Sequence, residues 1–465
     1  DIPWEWPEGV EQEAAAFGAV VTNEMTAGRR DLRELPLVTI DGADARDFDD
    51  AVFAQRRNNG WRLVVAIADV ANYVSPGSGL DREALRRATS VYFPQRVVPM
   101  LPEALSNGLC SLKPDEDRLC LVCDMSINDS GAVTRSRFDA AVMRSQARLT
   151  YDQVWDWIVS GNQEIRPGTA AVSASLRDLY GLYKALRRAR TRRGAIDFES
   201  TEVQFRFDER GAVEDIVPYE RNDAHMLIEE CMITANVEAA NFLIRQRIAA
   251  PFRAHEPPPP DKLESLEQFL RGLGIKVPWR GRPEPRHFEQ IVQQVKGRDD
   301  QHLVMAVLLR AQSLATYQPA NTGHFGLALA AYAHFTSPIR RYADLLVHRA
   351  IHHVLAHRGA RGYPLEREHM GKLAEHCSHL PRIGDAGLEA LPNLFGGIQI
   401  PCETQSDPSH QLCDRRGVLF RQTRAWWIEP GADRQRHPLE LILCQVIGSP
   451  HLLCFVEGPP QRVPK

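Results

Sequence analysis

No apolar run in this chain approaches the roughly 18 residues a membrane-spanning helix needs, so the sequence predicts a protein that does not enter a membrane. Its first residues, Asp1-Ile-Pro-Trp-Glu-Trp-Pro7, lack a basic stretch followed by an apolar one, which predicts no secretory leader. They also lack an initiator Met, so the natural N-terminus is expected to have been removed. The nine Cys are an odd number without a dense framework, which fits a reducing cytoplasm rather than a disulfide scaffold. Internal repeats and low-complexity tracts are missing. Basic residues are not in excess: 56 Lys and Arg against 60 Asp and Glu give a net charge of −4. A polyanionic ligand would therefore need a local basic channel, with the surplus acid placed elsewhere and partly neutralised by bound cations.

What is present is the composition of an ordinary globular protein, 43% hydrophobic and 25% charged. At 465 residues it has room for a large core and more than one domain. Leu37-Val38-Thr39-Ile40 reads as a short strand. Ala51 to Ala54 and Trp61 to Ala68 flank Asn58-Asn59-Gly60, the composition of a hairpin whose turn needs positive φ. Arg118 to Met125 is a third strand. The middle is helical. Val172 to Ala189 is amphipathic, Asn222 to Arg245 is a long helix capped by Asn222 or Asp223, and Asp261 caps a helix through Leu263, Leu266, Phe269 and Leu270. A further helix runs through Leu303 to Leu309.

Asp41-Gly-Ala-Asp44-Ala-Arg-Asp47-Phe-Asp49-Asp50 places five carboxylates in ten residues between two strands. Like charges this close raise one another's pKa, and a divalent cation removes that penalty. Oxygen ligands at this density suit Mg2+ or Mn2+ better than zinc. An extended strand would aim Asp47 and Asp49 to one face and Asp50 to the other, so a shared site requires a curved loop. A solvated acidic turn explains the composition equally well. A calcium loop does not, because its Gly and terminal Glu are missing.

Thr336-Ser337-Pro338-Ile339-Arg340-Arg341-Tyr342 reads as a helix start, with Ser337 as N-cap and Pro338 at the first helical position. Arg340 would then sit in the first turn beside free N–H groups, an arrangement that binds phosphate. A surface Arg on an amphipathic helix is the commoner case. An acidic metal site and an anion-binding Arg in one chain supply the two parts phosphoryl transfer needs. Cys120-Leu-Val-Cys123 has metal-ligand spacing, but on an alternating apolar strand two buried thiols are the better reading.

These segments resemble the ribonuclease II / ribonuclease R family of 3′-to-5′ exoribonucleases, with a flavour closer to ribonuclease R. The resemblance runs in order through Leu32 to Asp50, Val65-Ala-Ile-Ala-Asp69-Val70, Ser90-Val-Tyr92-Phe-Pro94, Leu105-Ser-Asn-Gly-Leu-Cys-Ser-Leu112, Arg193-Gly-Ala-Ile-Asp-Phe198, Ile228-Glu-Glu-Cys-Met232 and Tyr332-Ala-His-Phe-Thr-Ser-Pro-Ile-Arg340. It implies an α+β fold, with an RNB-type catalytic domain built on a mixed, largely antiparallel sheet flanked by helices. Asp41, Asp47, Asp49 and Asp50 fall on the family's catalytic, metal-holding aspartates, and Asp44 on a less essential position. Arg340 falls on the arginine that steadies the scissile phosphate. Tyr92 and Phe198 fall on the aromatic pair that clamps terminal bases, and Glu230 on a contact to the 3′-terminal nucleotide. The basic run Lys184, Arg187, Arg188, Arg190, Arg192 and Arg193 is a candidate lining for the RNA path, or a solvated helix face.

The implied activity is processive hydrolysis of single-stranded RNA to nucleoside 5′-monophosphates with Mg2+, or Mn2+ in its place, by a two-metal mechanism in a cytoplasmic monomer. The expected organisation is a lead-in segment over 1–30, the catalytic domain over 31–378 and an atypical tail over 379–465. The given chain starts after the two small barrels that usually precede the family's catalytic domain, and its tail is expected to differ from the usual OB-fold barrel, as a change of reading frame would produce. An RNA-gripping module without catalysis and a phosphoesterase acting on short oligonucleotides or DNA are the alternatives.

Overall fold

The computed structural model describes residues 3–93, 96–161, 165, 169–197, 202–208, 213–219, 221–389, 419–426 and 438–445. Its centre is a seven-stranded sheet. In spatial order the strands are Arg30–Asp31, Val133–Arg144, Asp117–Asn128, Gly60–Ala68, Asp50–Arg57, Val38–Asp41 and Ala147–Thr150. The four internal junctions are antiparallel and the two edge strands pair in parallel. The fold is therefore α+β with a mixed, largely antiparallel sheet. The hairpin expected around Asn58-Asn59-Gly60 is present, with Arg57 opposite Gly60 and the positive φ, 139°, on the glycine. A Cβ there would collide with the Ile127 carbonyl of the neighbouring strand, so this turn needs glycine.

Both faces of the sheet are covered, which is why the Gly60–Ala68 strand is a nearly unbroken apolar run. Leu63, Val65 and Ile67 face one core, with Val52, Leu121, Cys123 and the helices Ala170–Arg193 and Asp223–Gln246. Val64, Ala66 and Ala68 face the other, with Phe53, Val122, Leu346 and, from the N-terminal stretch, Val10 and Ala14. Fully burying one such Leu or Ile contributes about 1.5–3 kcal/mol. A third core, around Leu270, Phe288, Ile291 and Leu308, is built by the helices Pro260–Gly272, Pro285–Val295 and Gln301–Ala311.

The helix Asp223–Gln246 is capped by Asn222, whose side chain accepts from the Ala224 and His225 N–H groups. Asp261 is not a cap. Pro259 holds that position, with Pro260 opening the helix and Asp261 inside its first turn. The helix expected from Ser337 begins instead at Tyr342. Residues 337–340 form a single turn and Arg341, at φ −138° and ψ 122°, is extended. The last helix, Arg367–Glu389, continues through residue 378 and past Pro381. Strands Leu419–Trp426 and Pro438–Gln445 pair as an antiparallel hairpin.

Candidate active site

Asp41 ends one strand and Asp50 begins its antiparallel neighbour, so the segment between them must turn back at the sheet's end. It is the curved loop that a shared site requires. Four tethers fix its path. Ser111 Oγ accepts from Phe48 N–H at 3.0 Å and donates to the Arg46 carbonyl at 2.7 Å. Leu112 N–H donates to the Phe48 carbonyl at 3.0 Å, and Ala68 N–H to the Asp49 carbonyl at 2.8 Å. Arg148 adds a guanidinium contact to the Gly42 and Ala43 carbonyls at 3.0 and 2.5 Å.

The loop brings four of the five aspartates into one electrostatic group, while Asp44 stays exposed on its outer side. Asp49 is the deepest, at 5% exposure. Its Oδ1 accepts from Ile339 N–H at 2.9 Å, and its Oδ2 lies 3.4 Å from Arg340 Nε. Burial lifts its carboxyl well above the usual carboxylate range, the charges of Asp47 and Asp50 add to this, and Arg340 opposes it. Burial, with repulsion from Asp41, pushes Asp50 up to about 7, and its Oδ2 is buried without a hydrogen-bond partner. Asp41 is raised for the same reason, although its Oδ1 accepts from Gly42 N–H at 2.7 Å. Asp47 Oδ2 accepts from the Tyr92 hydroxyl at 3.2 Å.

Arg340 arrives from across the fold on a stretch pinned at nearly every residue. Phe335 N–H donates to Asn236 Oδ1 at 2.8 Å, and the Phe335 carbonyl accepts from His348 Nε2 at 2.7 Å. Ser337 N–H donates to Asp344 Oδ1 at 2.8 Å. Asp344, fully buried, also takes Arg341 as a two-pronged partner at 2.8 Å on each oxygen. The Arg340 carbonyl accepts from Ser90 N–H at 3.0 Å, tying it to the short hairpin that carries Tyr92. The Arg340 guanidinium is left exposed over Asp49, steadied by Ser337 Oγ at 3.0 Å. The free helix N-terminus read from the sequence is not there, because Asp344 and Asp49 take up the Ser337 and Ile339 N–H groups.

Tyr92 is thus part of the cluster, and the residue is 43% exposed. Phe198 lies outside the described residues. Glu230 sits apart from the aspartates, 3% exposed, within 3.3 Å of Arg190 Nη1 and 3.7 Å of Arg187 Nη1. The basic run is likewise partly spoken for. Arg187 pairs with Asp197 at 2.6 Å, Arg193 donates to the Leu327 carbonyl at 2.9 Å, and Lys184 lies over the Tyr180 ring. Sequence reasoning gave no role to Ser111, Arg148 or Asp344. Each acts on a segment remote in the chain or through backbone atoms, which no local pattern records.

A divalent cation was the expected partner of the aspartates. Among the described residues no three acid, imidazole or thiol groups converge as a ready-made metal cage. The donor chemistry nevertheless fits: hard carboxylate oxygens, three of them desolvated, and an orphaned Asp50 Oδ2 where a positive charge would relieve the site.

Comparison with known proteins places this geometry in a wider set. The family model described as "RNB domain" matches residues 29–357. Ribonuclease R of Escherichia coli (strain K12) is 50% identical over 420 residues, 86% of this chain and 52% of that protein. The solved apo structure of Mycoplasma genitalium RNase R superposes with a TM-score of 0.78 at 31% identity, covering 84% of this chain and 61% of that one. The same RNase R in complex with ribose-methylated single-stranded RNA gives 0.77 at 31% identity, covering 85% and 64%. The chain spans about half the length of the curated relatives it matches.

Proposed function

Since the chain belongs to the RNB-domain family of the ribonuclease R type, we propose that it is a 3′-to-5′ exoribonuclease, hydrolysing single-stranded RNA with a divalent cation, Mg2+ or Mn2+. The observation that carries this is the meeting of Asp41, Asp47, Asp49 and Asp50 with Arg340 and Tyr92, residues from three separated parts of the chain.

Asp50, with Asp41 and Asp47, would hold the cation, since these retain carboxylate oxygens that no protein donor engages. Bound there, the cation supplies Lewis-acid polarisation of the phosphate and an acidified water. Arg340 presents its guanidinium to the scissile phosphate and neutralises the charge that develops on it. Asp49, fixed by the Ile339 N–H, holds that guanidinium in place. The exposed Tyr92 ring offers a stacking face for a terminal base of any identity, and its hydroxyl keeps Asp47 turned toward the cluster. Glu230, held by Arg187 and Arg190, would contact the terminal nucleotide, and Phe198 would complete the base clamp. Similarity to a structure solved with single-stranded RNA supports the choice of polymer.

Two single-stranded RNAs, one labelled at the 3′ end and one at the 5′ end, test the reading when digested with Mg2+ beside Asp50→Asn. Early mononucleotide release from the 3′ label, lost in the variant, is the expected result. Retained RNA binding without cleavage would leave an RNA-gripping module in place of the enzyme.

A further inference from the structure

The Asp50–Arg57 strand begins in the acidic cluster and ends in a basic one. Seven residue steps of about 3.3 Å place Arg57 about 23 Å from Asp50 along the strand. There, Arg30, Arg57, Arg62, Arg135 and Arg137 line one depression on the open end of the sheet face, with only Asp124 and Ser126 beside them. The strands deliver them in register. Arg62 lies opposite Ser126, which lies opposite Arg135, and Asp124 lies opposite Arg137.

Three of the arginines are held rigidly by two acids. Asp124 takes Arg62 at 2.7 Å and Arg30 at 2.9 Å; Asp139 takes the other arm of Arg30 at 2.9 Å and Arg137 at 2.7 Å. This alternating chain by itself would be a structural brace for the edge strand. Arg57 and Arg135 break that explanation, because both are exposed and neither has a partner among the described residues. Five guanidinium groups against two carboxylates leave a local charge of +3 on a chain whose total is −4. Such a surplus is unfavourable unless an anion shares the surface. Arg135 and Arg137 project from one strand two residues apart, the repeat of an extended chain. Their forked donors match successive phosphates better than the shorter-reaching carboxylates of an acidic peptide.

We propose that this patch is a second RNA-binding site, which grips the phosphate backbone of the substrate at a distance from the acidic cluster. The inference rests on RNA being the substrate. It predicts a length dependence. At ~3.4 Å per stacked nucleotide, an RNA that keeps its bases stacked needs about seven nucleotides to reach from one site to the other.

The test is fluorescence anisotropy of 5′-labelled single-stranded RNAs, one well above and one well below that length, in EDTA over a range of NaCl. The full chain is compared with the double variant Arg57→Ala, Arg135→Ala, whose side chains have no hydrogen-bond or ion-pair partner among the described residues. The expected result is roughly tenfold weaker binding of the longer RNA and a log–log salt slope shallower by about 1.4, with the short RNA unaffected. Equal affinities and slopes for the longer RNA would overturn the proposal. So would a variant that keeps its RNA affinity and loses binding only to a polyaspartate peptide, which would assign the patch to an acidic protein. If the wild-type chain fails to cleave RNA yet shows the slope difference, the exonuclease reading falls and the patch stands.

Discussion

The Tyr92 hydroxyl donates to Asp47 Oδ2 across 3.2 Å, while the carbonyl of Arg340 accepts from the Ser90 N–H two residues earlier. One short hairpin therefore holds both an acid of the cluster and the arginine segment. Removing only the hydroxyl separates these duties from stacking. Tyr92→Phe is expected to retain RNA affinity in EDTA, whereas Tyr92→Ala loses about 1–3 kcal/mol of binding, the worth of one base–aromatic stack. Anisotropy with a short RNA checks both; equal affinities for the two variants would remove the ring from the binding surface.

Asp49 serves structure as well as charge. Asp49→Asn keeps an oxygen for the Ile339 N–H and removes a buried negative charge, so its urea midpoint is expected to match or exceed the wild type. Asp49→Ala leaves that N–H buried and unsatisfied, at a cost of about 1–3 kcal/mol. Cleavage is lost in both. Similar midpoints for Asn and Ala would show that the link carries no stability.

The orphaned carboxylate of Asp50 ties stability to the cation. Mg2+ is expected to stabilise the wild type by about 2.7 kcal/mol at a hundred times its Kd, seen as a higher thermal midpoint. Asp50→Asn should start from a higher midpoint in EDTA, because the desolvated charge is gone, and respond less to Mg2+. Equal responses would place the cation elsewhere.

Two imidazoles, the fully buried His348 and the partly buried His324, make the scaffold sensitive to acid. Burial holds His348 down to about 4 and His324 down to about 3, against about 6.5 in an unfolded chain. Below that value the unfolded chain takes up protons that the folded one refuses, so stability falls as pH drops. Near pH 5 the loss is on the order of 2 kcal/mol for each ring. Urea midpoints measured near neutrality and near pH 5 check this, and His348→Gln, which can still donate to the Phe335 carbonyl, should flatten the dependence. A slope unchanged by His348→Gln would acquit that ring.

Much of this was legible in the sequence, and the failures share a cause. The hairpin through Gly60, the Asn222 cap and the turned-back acidic loop rest on local chemistry: a positive φ, an orphan N–H, crowded charge. The helix start at Ser337 was misread because the same local signature, Ser-Pro before an apolar stripe, is overruled by distant groups. Asp344 and Asp49 capture the N–H groups that a helix cap would have used, and Arg341 is pulled into a bridge with Thr89. Asp261 failed more simply, because Pro260 already fills the first helical position. The burial of Glu230 against Arg190 joins two long helices and leaves no trace in either one alone.

The hydrogen bond from Ile339 to Asp49 spans 290 residues of sequence. Contacts of such separation form late, because the chain must close a long loop before any of them repays the entropy. A chain growing from its N-terminus carries all four aspartates long before it carries Arg340. All seven strands of the sheet are made by Thr150 and can pair while the acidic loop still lacks its guanidinium, so the nascent protein holds its acids without Arg340 to engage a phosphate. On the proposed function, the acidic loop gains its phosphate-facing guanidinium only once the segment around residue 340 has been made and has reached the sheet.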